Sequence, residues 1–195
     1  MRSTSAVYVT SQAEYDKHKE MLKQTACPKC RAVGCLIRHG YLKGHGDKAN
    51  DEVRRGWRVF CSDRNLRKGC GRTCSILLAK FIFRHMVSAS WLWQLLQHIR
   101  QGMSIKAAWE KIAAPFSLDN AYRLRQAFTQ SQTFIRSMLL RAGAPPKTNV
   151  AKPEWQLIEH LRAAFPTSAC PVADFQARFQ AGFLRAAAPR VDSSG

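Results

Sequence analysis

Cys27-Pro28-Lys29-Cys30, answered far along the chain by Cys61 and then by Gly69-Cys70-Gly71-Arg72-Thr73-Cys74, decides how the first half of this protein is read. Zinc prefers thiolate sulfur in a tetrahedron, and two residues between a pair of cysteines let both sulfurs reach one ion. Pro28 stiffens the turn of the first hook. The second hook is less regular, because eight residues separate Cys61 from Cys70 and Cys74 competes as a ligand. Gly69 and Gly71 flank Cys70 and give the backbone freedom for a tight turn. The expected ligands of one structural Zn2+ are therefore Cys27, Cys30, Cys61 and Cys70. His39, on a strand, and His45, in a glycine-rich loop, are alternatives to a cysteine ligand, or either faces a phosphate instead. Cys35 and Cys170 read as core or surface thiols.

Working outward, Gly40, Gly44, Gly46, Asn50 and Gly56 mark the interval between the hooks as a loop joining strands at Leu36–Tyr41 and Trp57–Cys61. The order Cys27-Pro-Lys-Cys30, Leu36-Ile-Arg-His-Gly-Tyr41, Arg58-Val-Phe-Cys61 and Gly69-Cys-Gly-Arg-Thr73 resembles the zinc ribbons that open many bacterial insertion-element proteins. In that family a cysteine hook, a short hairpin with an arginine-rich strand and a Cys-Gly-Arg-Thr-Phe-Ser-like end precede a helix-turn-helix. The resemblance covers about residues 25–140. An aromatic usually occupies the place of Cys74, which implies that Cys74 is a buried strand residue and not a ligand. The long insert between Cys61 and Cys70 departs from the pattern. Membership would imply binding of element ends or promoter DNA.

Charge points the same way. The chain carries 31 Lys plus Arg against 13 Asp plus Glu, a net charge of +18. Residues 151–195 hold five of these bases and four of the acids, so residues 1–150 carry +17 of the +18. Such concentrated positive charge is the electrostatic footprint of a nucleic-acid binder. Arg54, Arg55, Arg58, Arg64, Arg67, Lys68 and Arg72 lie on the ribbon itself, where planar guanidinium forks suit phosphate oxygens. Trp57 either stacks on an unpaired base or covers a small core. The seven cysteines form no even disulfide framework. With no apolar run near the length of a bilayer span and no signal peptide, a cytoplasmic, nucleoid-associated protein is expected.

The remaining sequence is helical. Ser11-Gln12-Ala13-Glu14 is a capping-box pattern opening a short helix to about Gln24. Ser88 or Ser90, Ser104 and Ser117 each precede an amphipathic run, the first stopped by Gly102 and the second by Pro115. Ala121, Leu124 and Phe128 face inward on the third run. Asn120, Tyr122, Arg123 and Gln126 are left outside, as on the groove-facing end of a helix-turn-helix. Asn120 and Arg123 are the expected base contacts, since amides and guanidinium groups pair two-pronged with bases. Gly143 to Asn149 reads as a linker. Beyond it Trp155, Phe175, Phe179 and Phe183 mark a helical hairpin too apolar to stand alone, packing on the chain, on a second copy or on a partner.

The expectation is a mixed, mostly α chain. It comprises an arm and short helix (1–24), a β zinc ribbon (25–80), a helix-turn-helix domain (81–143), a linker (144–153) and a C-terminal helical hairpin (154–190). It would bind duplex DNA with a recombinase, transposase or second copy as partner, engaging no membrane and no small-molecule substrate. No carboxylate frame for metal-dependent strand transfer is evident, so a non-enzyme is expected. The alternatives are an RNA- or single-strand-binding module and a protein–protein adaptor.

Overall fold

The computed structural model describes residues 6–45, 52–64, 68–83, 85 and 87–185. Four strands form one sheet: β1 (Ala6–Val9), β2 (Leu36–His45), β3 (Glu52–Cys61) and β4 (Thr73–Leu78), in the order β1-β4-β3-β2. β2 and β3 form an antiparallel hairpin, β4 is antiparallel to β3, and β1 lies parallel to β4 with Val9 opposite Leu78. The expected N-terminal arm is thus a strand of the sheet. The hairpin strands also run further than expected, through Gly40, Gly44 and Gly56. Pairing of Tyr41 with Trp57 and of Gly44 with Val53 carries the ladder across glycines that read locally as loop.

Two register shifts bend the hairpin. Arg38 pairs with Val59 but Gly40 with Arg58, so His39 is the extra residue. Leu42 pairs with Gly56 but Lys43 with Arg54, so Arg55 is extra. Such bulges re-aim side chains and increase twist.

Helix α1 (Gln12–Glu20) covers one sheet face, its Tyr15 ring 4.5 Å from Trp57. Val9, Leu36, Trp57, Val59, Ile76 and Leu78 fill the core beneath it. The Ser11 hydroxyl accepts the Glu14 amide at 3.1 Å. The Glu14 carboxylate reaches one residue further back than a capping box does, accepting the amide and hydroxyl of Thr10, each at 2.8 Å. The Thr10 amide holds that carboxyl below its ordinary range. The helix stops at Glu20, and residues 21–24 are turns.

The second half is one helical body of α2 (Ala89–Arg100), α3 (Ile105–Ile112), α4 (Leu118–Leu139), α5 (Pro153–Ala164) and α6 (Pro171–Phe179). Ser88 and Ser104 cap α2 and α3 through their hydroxyls. Ser117 stands at the start of α4 but makes no side-chain cap; its hydroxyl instead accepts from the Asn120 amide group at 3.3 Å. One core runs through all five helices and includes Leu95, Leu124, Phe128, Ile135, Leu161, Phe175 and Phe183. The C-terminal hairpin is therefore part of the chain's own core. Phe175 and Phe183 are fully buried, so neither is free to meet a partner as expected; Trp155 and Phe179 are half-buried against the same core.

Gln176 of the last helix and Gln180, the residue that ends it, tie this body to the sheet. Gln180 accepts the Tyr8 amide and donates to the Tyr8 carbonyl, both at 2.9 Å. Buried Gln176 donates to the carbonyls of Ala79 and Phe81 and accepts the Phe183 amide. Among the described residues no helix is long and apolar enough to cross a membrane.

Candidate metal centre and nucleic-acid interface

The sulfurs of Cys27, Cys30, Cys61 and Cys70 all lie within 4.8 Å of one another. Cys27 and Cys70 are 3.9 Å apart, and Cys30 and Cys61 are 3.6 Å apart. These are opposite edges of a four-sulfur cluster. With metal–sulfur bonds of about 2.3 Å, a regular tetrahedron has edges of about 3.8 Å. The cluster thus has the dimensions of a site for one metal ion.

The irregular second hook repeats the first. In the first, the Cys27 amide donates to the Ala32 carbonyl and the Arg31 amide to the Cys27 carbonyl, each at 2.9 Å. In the second, the Cys61 amide donates to the Arg72 carbonyl at 2.9 Å and the Gly71 amide to the Cys61 carbonyl at 3.0 Å. Arg31 and Gly71, each just after a ligand, share a left-handed backbone at φ 63 and 64. The described ends of the eight-residue insert, residues 62–64 and 68–69, come back together between Cys61 and Cys70.

Gly69 closes that loop. A Cβ there would lie 2.0 Å from the Ser62 carbonyl oxygen and 2.9 Å from the Cys61 carbonyl carbon, so entering and leaving strands touch backbone to backbone. Only glycine fits.

The cluster favours thiolate where the first hook closes. Burial raises the Cys27 thiol, but amides of Cys30 and Lys29, with neighbouring thiols, outweigh it and bring it down to about 7. Burial pushes Cys61 and Cys70 up, opposed in each case by a backbone amide. The Lys29 amide lies 3.4 Å from the Cys27 sulfur, and the Cys70 amide 3.3 Å from that of Cys61. Such amide–sulfur bonds orient metal ligands and spread their charge. Cys74 is outside the cluster: it is buried on β4 opposite Val59, and burial pushes its thiol up to about 11. His39 is exposed on its bulge, and the side chain of His45 lies outside the described residues.

The expected phosphate contacts divide. Arg54, Arg58, Arg64, Lys68 and Arg72 are exposed. Arg54 lies over the Tyr41 ring at 4.4 Å. Arg67 lies outside the described residues. Arg55 contradicts the expectation: it is only 7% exposed, lies over the Phe81 ring at 4.7 Å and donates to the His85 carbonyl. The bulge turns it into the interior, a reversal that strict strand alternation does not reveal. Trp57, 1% exposed, is core and cannot stack on a base.

On α4 three of the four residues expected on the outward face are exposed. Tyr122 is 51% exposed, Arg123 and Gln126 are exposed, and Asn120 is half-buried. The Trp109 indole donates to the Phe116 carbonyl at 2.9 Å, pinning α3 to the turn that launches α4. Arg125 points elsewhere: it pairs with Glu154 and lies 5.6 Å from the Trp155 ring, fastening α5 to α4. Trp155 thereby serves the chain's own packing. Sequence reasoning missed Gln176 and Gln180, since nothing local distinguishes a buried glutamine from a solvated one.

No protein-family model, curated protein or solved structure matches this chain.

Proposed function

We propose that the four-cysteine cluster holds one structural Zn2+ and that the chain is a sequence-specific DNA-binding protein, an accessory or regulator of a mobile genetic element. A four-thiolate tetrahedral set suits zinc among the available divalent ions. The ion would lock the two hooks and with them the sheet, supplying stability and no chemistry. The recognition unit is the α2–α4 bundle, with α3 and α4 as the helix-turn-helix.

One observation carries the reading. The N-terminal half of α4 keeps Tyr122, Arg123 and Gln126 exposed beside Asn120, while the opposite face of the same turns, at Ala121, Leu124 and Phe128, is buried. A helix seated by one face and polar on the other at its N-terminal end suits the major groove. Arg123 would read a guanine edge and Asn120 an adenine edge, each contributing about 1–3 kcal/mol of discrimination. Arg58, Arg64, Lys68 and Arg72 would hold the backbone, making affinity fall steeply with salt. Element ends or an operator are the proposed targets. A recombinase, transposase or second copy is the proposed partner class, met by a surface other than Phe175 and Phe183.

The test is a fluorescence titration with a duplex from DNA flanking the protein's own coding region and with a scrambled duplex. Preference for the flanking duplex, lost in Asn120→Ala/Arg123→Ala, supports the proposal. Equal affinities, unchanged in the double variant, overturn it.

A further inference from the structure

One face of the sheet is covered by α1, and the upper part of the other by α6 around Tyr8, Leu77 and Ala79. Among the described residues, the lower part of that second face, near the cysteine hooks, belongs to none of the hydrophobic clusters. Ile37 and Phe60 pair across β2 and β3 there, both half-buried and outside all three hydrophobic clusters. The bulge swings the exposed His39 ring to 5.7 Å from Phe60. Gly40 follows at φ 134, opposite exposed Arg58, with nothing within 4 Å of where its Cβ would stand. Bare backbone at Gly40 thus leaves a bay in the side-chain layer, beside the His39 and Phe60 rings and across the strand pair from exposed Arg58.

Its charge selects the occupant. The basic residue at the bay is exposed Arg58, since Arg55 is buried over Phe81 and Arg54 lies over Tyr41 on the α1 side, and the one acid of β2, β3 and β4, Glu52, is at the far end of the hairpin. A flat apolar group attached to an anion fits such a bay. In a duplex the base faces are stacked inside and unreachable, whereas an unpaired nucleotide offers both its π-face and its phosphate. We propose that this bay binds an unpaired nucleotide of single-stranded nucleic acid, the base stacking on Phe60 and His39 and a phosphate meeting Arg58. The site extends the duplex-binding proposal without depending on it: the two share Arg58 as a phosphate contact, but the stacking residues Phe60 and His39 and the single-stranded ligand belong to this site alone.

The probe is a short single-stranded oligodeoxythymidylate carrying one 2-aminopurine, titrated with the metal-loaded full chain. Binding with a change in 2-aminopurine emission is expected. Phe60→Leu, which keeps an apolar residue in the strand, and His39→Ala should each weaken binding by about tenfold and abolish the emission change. Arg58→Gln should weaken binding and flatten its salt dependence. Duplex binding by the Phe60→Leu and His39→Ala chains should stay as in the parent, which separates this site from α4. Absence of single-strand binding, or binding equal in parent and variants with thermal unfolding unchanged, overturns the proposal. So does displacement of the oligonucleotide by polyglutamate at equal charge concentration, which would make the bay a docking site for acidic peptide.

Discussion

Replacing Gly69 by alanine tests whether the eight-residue insert really closes inside the second hook. The new methyl carbon would stand 2.0 Å from the Ser62 carbonyl oxygen and 2.5 Å from its carbon. An ordinary carbon–oxygen contact is about 3.3 Å, so the two backbone segments must part by roughly 1.3 Å. No flexible side chain can absorb this, because the three nearest atoms are all backbone. The segments that must part carry Cys61 and Cys70, and metal–ligand distances tolerate only about 0.2 Å. Metal affinity should drop about 10- to 100-fold, the range seen when groups that position ligands are lost. Competition against a chromophoric chelator measures this. Gly143→Ala is the control, with nothing within 4 Å of its Cβ and an expected change within about 0.5 kcal/mol in stability. Parent-like metal affinity in Gly69→Ala would refute the closed-loop geometry.

Two further outcomes follow from the same structure. Burial holds the Cys61 and Cys70 thiols above their ordinary range, so both are protonated at neutral pH in the metal-free chain. Metal uptake must displace those protons, and affinity should fall on acidification by roughly tenfold per pH unit for each proton displaced; calorimetry in buffers of different ionisation enthalpy counts them, and proton-free uptake at neutral pH would contradict this. Gln176→Leu would leave the Ala79 and Phe81 carbonyls and the Phe183 amide without a side-chain partner. Urea unfolding should show a loss of about 2–4 kcal/mol, and a change below about 0.5 kcal/mol would mean that α6 is not fastened to the sheet as described.

Much of this was legible from local chemistry. Ser88 and Ser104 begin their helices, and the inward stripe of α4 at Ala121, Leu124 and Phe128 is buried where helical spacing puts it. The four-cysteine cluster was legible because sulfur spacing is itself geometry, and the glycines around Cys70 marked the turn. What escaped was everything set by distant partners. Val7-Tyr8-Val9 reads locally only as the β-favouring run of a short extended arm, because its partner, β4, lies over 60 residues away. Arg55 looked like its neighbour Arg54 because a bulge depends on the opposite strand. The aromatic run of the C-terminal helices announced burial but not against what, and the answer lay in α4, where Phe128 and Phe183 stack at 6.1 Å.

The most direct test of the central proposal is selection from a random duplex library by the metal-loaded chain, repeated with Arg123→Ala. The account predicts one enriched motif in the parent and, in the variant, the same motif relaxed at a single guanine position. No enriched motif, or a motif unaltered by the substitution, would contradict it.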